Sequence, residues 1–204
     1  MNTIRPTIRP SAVAGLFYPA RATELETLLS EQFESLPHNK HQHPKALIVP
    51  HAGYVYSGKV AAKAYQSLRH LADRIHRVVL VGPSHRVPFS GVAISSADYF
   101  ATPLGSIAVD KAAVARLAAI NGVEFSDIAH DNEHSLEVQL PFLQFVLEQF
   151  SIVPIVTGDA SAELVSEVIE AAVDAADDAL IVISSDLSHY LDYESARKID
   201  QFTT

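Results

Sequence analysis

The sequence predicts an α/β fold, a single layered domain with a mainly parallel central sheet flanked by helices. Three observations carry that expectation. Short β-rich apolar runs alternate along the chain with longer amphipathic stretches, the pattern of strands joined by helices. At 204 residues, with 48% hydrophobic and 19% charged side chains, the chain has the size and composition of one globular unit. No internal repeat and no linker-like segment divides it, so residues 1–204 are expected to form one domain.

The elements can be taken in chain order. Thr23 to Leu36 reads as a helix: Thr23 and Glu26 are spaced as a capping box, and Leu25, Leu28, Leu29, Phe33 and Leu36 form one apolar stripe. His38 to Pro44 is a polar loop, and Ala46 to Val49 a short apolar strand. Ser57 to Ala72 reads as a helix with Val60, Ala64, Leu68 and Leu71 on its buried face. Val78 to Val81 and Val92 to Ser95 are strands. Asp110 is placed to cap a helix that stops at Asn121-Gly122.

Ser135 to Phe150 is helical in pattern, with Leu136, Leu140, Leu143 and Leu147 spaced for burial. Pro141 should kink that helix or mark its first turn. Ile152 to Thr157 is a strand in which Pro154 lacks the ladder donor, which suggests an edge position or a bulge. Ser161 to Ala176 is an amphipathic helix, and Leu180 to Ser184 is the last clear strand. Asp192 is placed to cap a final helix that has barely begun at Thr204.

Composition excludes several functions. The net charge of −9 argues against nucleic acid or an anionic membrane as partner, since either calls for a basic stripe. With no cysteine, the chain offers neither disulfide nor thiolate. Met1 to Pro10 has no apolar signal core and no stretch approaches 18 uninterrupted apolar residues, so a cytoplasmic protein is expected. Neither a P-loop nor a G-x-G-x-x-G loop is present. "GPSHR" lacks the second glycine of a nucleophile elbow, although Ser84, a histidine and Asp186 have the residue types of a hydrolase triad.

The informative feature lies at the strand ends. Ligands of open α/β sheets bind where loops leave the carboxyl ends of the strands. Three of the five strands run straight into a histidine: Val49 into Pro50-His51, Val81 into Gly82-Pro83-Ser84-His85, and Ser184 into Ser185-Asp186-Leu187-Ser188-His189. Histidine is the commonest metal ligand and the readiest acid or base near neutral pH. Two imidazoles and a carboxylate form the facial set of non-haem Fe(II) sites and also suit catalytic zinc. Asp186 can supply the carboxylate, as can Glu133 or Glu137 in "DNEHSLEVQLP".

Each of these residues has a plainer reading. His51 can bond a backbone carbonyl, His85 can be a loop residue, and Asp186 with His189 can cap the following turn. Glu133 and Glu137 suit a helix N-terminus electrostatically without any ligand. His38, His41 and His43 resemble a metal-binding tract but fit a solvated loop better. Tyr54, Tyr56 and Tyr190 are candidates to line a pocket, though packing with a bonded hydroxyl is the commoner fate.

Five motifs stand in a familiar order: "RPSAVAGLFYPA", "PHAGYVYSG", "GPSHRVP", "DNEHSLEVQLPFL" and "SSDLSHY". Together they resemble the Memo family from about Arg9 to Tyr193, a family that includes the animal mediator of cell motility and the AmmeMemoRadiSam system protein B of bacteria and archaea. The resemblance implies a fold like the LigB-type class III extradiol dioxygenases. It implies that His51 and His85 are metal-binding and that His189, Asp186, His134 and Glu133 are catalytic residues of one cleft, with His189 as acid–base and Glu133 and His134 as a Glu-His pair lining it. The animal protein completes its metal set with a cysteine from a later segment and the dioxygenases use a glutamate. This cysteine-free sequence stops before that segment, so either the chain is a fragment or its third ligand is Asp186, a Glu or water.

The leading expectation is therefore metal-dependent redox chemistry, with Fe(II) first and copper or zinc as alternatives. A small-molecule or peptide ligand is expected, and the family association suggests a radical-SAM component as a protein partner. The competing expectations are a non-catalytic peptide- or protein-binding scaffold using the same cleft, and a zinc-dependent hydrolase.

Overall fold

The structure is a computed structural model that describes residues 5–37, 43–174 and 178–203. The strands are β1 (Ile8–Arg9), β2 (Ala46–Val49), β3 (Arg77–Pro83), β4 (Val92–Ile94), β5 (Tyr99–Thr102), β6 (Gly105–Val109), β7 (Val123–Phe125), β8 (Ser151–Thr157) and β9 (Ala179–Ser184). The helices are α1 (Ala22–Glu34), α2 (Tyr54–Tyr65), α3 (Lys111–Leu117), α4 (Asp127–Asp131), α5 (Leu140–Val146), α6 (Ala162–Val173) and α7 (Tyr193–Thr203). Among the described residues the strands form one sheet ordered β1-β5-β6-β8-β3-β9-β2, with β4 bridging β8 and β7. Its centre is parallel: Leu80 on β3 sits opposite Pro154 on one side and Val182 on the other. Only the β5–β6 and β4–β8 pairings are antiparallel among the described strands. The expected α/β architecture is the one observed.

Burial explains the central strands. Val78, Val79, Leu80 and Val81 are all inside, because β3 is covered on both faces, and a parallel strand in that position reads as an unbroken apolar run. Helix α2 buries Tyr54, Ala61, Ala62 and Tyr65 against α1 and α5, and Gly58 brings it close to α1. A Cβ on Gly58 would collide with the Gln32 side-chain amide, so any larger residue there would have to displace that side chain.

Several expectations need correction. The capping box at Thr23 does not form: α1 starts at Ala22, so Thr23 lies inside the first turn, and the Arg21–Glu24 ion pair at 3.2 Å sits there instead. Helix α2 begins at Tyr54, not Ser57, and tightens into a 3₁₀ turn over Gln66–Leu71; this rotation leaves Val60 exposed. The stretch from Ser135 is not one helix but a 3₁₀ turn at Glu137–Gln139 followed by α5, with Pro141 in its first turn. Pro154 is in the middle of the sheet. On the side away from β3, strand β8 pairs with β6 at Ser151 and Ile152 and with β4 from Ile155 to Thr157. Pro154 falls in the gap between those partners, where its missing N–H leaves no acceptor unpaired. The Asp110 cap is present, accepting from Ala113 N at 2.9 Å, although α3 ends at Leu117. Asp192 also caps as expected, accepting from the amides of Glu194 and Ser195.

A buried ion pair ties the N-terminal segment to the segment carrying Glu133 and His134. The Arg9 guanidinium, on β1, pairs with the Glu137 carboxylate and donates to His130 O and Glu133 O. Glu137 also accepts from Ala12 N at 2.7 Å, Val13 N at 3.0 Å and the Tyr18 hydroxyl at 2.5 Å. Burial and the adjacent carboxylate push the Tyr18 hydroxyl well up, so it stays a donor.

Removing one partner strands the other charge in the core. Arg9→Ala should therefore cost about 3–5 kcal/mol in urea unfolding. A second prediction concerns His130, whose Nε2 meets Ala93 O at 3.2 Å. Burial pushes this imidazole down to about 4 from the usual 6.5. Between those values the unfolded chain binds a proton at this position and the folded chain does not, so stability falls as pH drops through that window and levels off below it. His130→Gln should remove up to about 3 kcal/mol of this pH dependence, read as unfolding free energy at pH 7 and pH 4.

Candidate metal centre

Topology brings the sequence-distant residues together. Strands β3, β9 and β2 are adjacent and parallel, with Val49 opposite Ser184 and Val81 opposite Ile183. Parallel neighbours end at the same rim of a sheet, so His51 after β2, His85 after β3 and Asp186 after β9 emerge side by side. The segment from Glu133 to Ser135 folds over the end of β3. A Cβ on Gly82 would lie 2.8 Å from Ser135 Oγ, so glycine there lets this segment close in.

Three imidazoles face one another at that rim. The ring centroids of His51 and His85 are 5.1 Å apart, those of His85 and His134 4.5 Å, and those of His51 and His134 5.7 Å. One ring nitrogen from each lies within 4.8 Å of those of the other two. His51 is buried, His134 is half-buried against Phe17, and His85 is the most open. Burial lowers His51, an effect that Asp186 opposes. Burial takes His134 down to about 4, with Glu133 opposing and His85 adding to the shift. Both are therefore neutral near pH 7, the form that offers a nitrogen lone pair.

Glu133 organises the cluster from behind. Its carboxylate accepts from His85 N at 2.6 Å, His134 N at 2.8 Å and Ser135 N at 2.8 Å, and meets His85 Nδ1 at 2.9 Å. Burial pushes this carboxyl up, but the two amides of His85 and Ser135 and the His85 ring outweigh burial and hold it below the usual carboxylate range. A carboxylate can only accept here, so His85 Nδ1 carries a proton and, in the neutral ring, the lone pair is on Nε2. Glu133 thus orients a candidate ligand.

Asp186 and His189 form the other side. Asp186 Oδ1 accepts from His51 N at 2.7 Å, and Oδ2 lies 3.8 Å from His51 Nε2 and 3.4 Å from His189 Nε2. His189 is 58% exposed and sits at the rim, outside the three-imidazole group. Glu137 is committed to Arg9 and Tyr18, so it is no metal carboxylate. Ser84 donates to Val87 O at 2.7 Å, a local loop bond rather than a triad contact. Tyr54 is core, with its hydroxyl on Val138 O, while Tyr56 and Tyr190 are exposed. His43 packs on His70 with centroids 5.0 Å apart, away from the site, and His38 and His41 lie outside the described residues.

The family profile described as "Memo-like protein" matches residues 9–203. The chain belongs to the Memo family. It is 40% identical over 202 residues to a MEMO1 family protein of Aquifex aeolicus, covering 95% of this chain and 72% of that relative. With a MEMO1 family protein of Methanosarcina mazei it shares 42% identity over 199 residues, again covering 95% of this chain and 72% of the relative. A third, from Ignicoccus hospitalis, is 40% identical over 200 residues, with 90% and 69% covered. The Memo chain thus spans about seven-tenths of the length of these relatives. Among its described residues no helix is long and apolar enough to cross a membrane.

The donors of this Memo chain fit a divalent transition metal. Neutral imidazoles suit iron, copper and zinc. His134 Nδ1 is buried, makes no hydrogen bond among the described residues and lies 3.4 Å from Glu133 Oε1, so Glu133 stands behind this imidazole as well as behind His85. His134 is placed by the sequence in the cleft as a catalytic residue and not as a metal ligand. Its position depends on the fold of Glu133 to Ser135 over Gly82, a contact with no signature in local spacing.

If Glu133 organises this site, Glu133→Ala leaves the amides of His85, His134 and Ser135 and the His85 ring without their acceptor. The expected loss is about 2–4 kcal/mol in chemical unfolding, with the His85 ring mobile on the NMR timescale.

Proposed function

We propose that His51, His85 and His134 hold one Fe(II) ion, for which copper or zinc can substitute, and that the site performs metal-dependent redox chemistry related to that of extradiol dioxygenases. The observation that supports this reading is the convergence of three imidazole nitrogens within 4.8 Å, drawn from segments far apart in sequence. A bound ion of this kind supplies one-electron chemistry and Lewis-acid polarisation of a substrate oxygen.

The chain supplies the rest. Glu133 keeps His85 oriented with Nε2 available, and burial keeps His51 and His134 unprotonated. Asp186 and His189 hold the proton. His189 Nε2, 3.4 Å from Asp186 Oδ2, accepts a proton from a substrate hydroxyl and passes it to solvent through its exposed edge, while the carboxylate stabilises the imidazolium. The open rim admits a small-molecule or peptide ligand.

Anaerobic Fe(II) titration should give one ion per chain, and His51→Ala, His85→Ala or His134→Ala should each weaken binding by about 100-fold or more. His189→Ala should leave iron binding within a few-fold and slow oxygen uptake with a catechol panel by about 100-fold. Wild-type protein that takes up no metal would defeat the proposal. Metal binding with no oxygen uptake on any catechol would defeat its redox half.

A further inference from the structure

The His51 side of the centre contains a buried hydrogen-bond chain. The Tyr65 hydroxyl donates to Gln139 Oε1 at 2.9 Å. Gln139 Nε2 donates to Pro50 O at 2.9 Å and to Ser184 Oγ at 2.8 Å. Ser184 Oγ donates to Ser135 O at 2.5 Å, and His51 Nδ1 lies 3.0 Å from the same Ser184 Oγ. Tyr65, Gln139, Ser184 and His51 are all buried, so water is no alternative partner for them.

The direction of every proton in this chain is set by two carbonyls. A carbonyl only accepts, so Pro50 O fixes the Gln139 amide with its nitrogen toward Ser184, and Ser135 O takes the one proton of the Ser184 hydroxyl. Ser184 Oγ then has only lone pairs to offer. The bond to His51 therefore needs the proton on His51 Nδ1, which leaves the lone pair on Nε2. The opposite tautomer would set two lone pairs against each other, or pull the Ser184 proton away from Ser135 O and orphan a buried carbonyl.

We propose that Ser184, held in place by Gln139, is a positioning residue that locks His51 as the Nδ1–H tautomer and so presents its Nε2 lone pair to the other two imidazoles. The role in metal binding rests on the proposed metal function; the tautomer lock does not. His85 receives the same treatment from the Glu133 carboxylate, so one device appears twice with different acceptors. The strand-end residue Ser184 thus has a part that its place before "SDLSH" did not announce.

Long-range ¹H–¹⁵N correlation spectra of the metal-free, histidine-labelled protein at pH 7.5 read the tautomer directly. Wild type should show His51 Nδ1 at a protonated shift and Nε2 at an unprotonated one. Ser184→Ala should populate the Nε2–H tautomer and weaken Co(II) binding about 10- to 100-fold, with Ser184→Thr restoring both toward wild type. A wild-type His51 protonated on Nε2, or a folded Ser184→Ala protein that keeps the Nδ1–H tautomer, overturns the proposal. The wild-type spectrum decides the tautomer even if a variant fails to fold. If wild type shows the Nδ1–H tautomer but binds no Co(II), the metal reading fails while the lock stands.

Discussion

The parallel alignment of β3, β9 and β2 is the constraint on which the site depends. Side-by-side parallel strands must release their chains at one rim, and here each releases a histidine or a carboxylate within a few residues. The three central segments need no contact with one another in sequence, because ladder register aligns Val49, Ser184 and the end of β3. The fourth contributor, Glu133 to Ser135, is not a strand end and needs separate fixing. The buried Arg9–Glu137 pair provides it, joining β1 and the Ala12–Val13 amides to the stretch that carries Glu133 and His134.

The electrostatic design is a consequence of burial. Three clustered imidazoles cannot all be protonated, since burial and mutual repulsion disfavour the cations. One carboxylate, Glu133, remains ionised in their midst because it accepts backbone hydrogen bonds in a fixed cradle. The result is two neutral imidazoles, His51 and His134, and a third held by the Glu133 carboxylate, an arrangement suited to a divalent cation. The Nδ1 atoms of His85 and His51 are taken up by Glu133 and Ser184 respectively. The proposed metal site relies on this orientation by outer partners.

Much of this was legible in the sequence, for reasons that differ by residue. His85 could be read because β3 is buried and reads as an unbroken apolar run; His51 and Asp186 could be read because the edge strand β2 and the half-buried β9 are also apolar runs, and residues just past a strand's carboxyl end lie at the rim. The β5–β6 hairpin, β7 and α4 were missed, since short elements with mixed exposure carry little periodicity. Pro154 misled because local chemistry implied an edge, whereas tertiary structure supplied a gap between two partners. The Tyr65–Gln139–Ser184 chain joins residues separated by 74 and 45 positions, and such contacts exist only after folding. His134 belongs to the same class, since its place in the cluster depends on the close approach that Gly82 permits.

The central claim is that His51, His85 and His134 share one ion. Anomalous diffraction at the iron edge, from crystals loaded anaerobically with Fe(II), tests it most directly. The account predicts a single anomalous peak within bonding distance of nitrogens from all three rings. A peak held by Asp186 and His189 alone, or one elsewhere on the surface with the three rings unliganded, would contradict it.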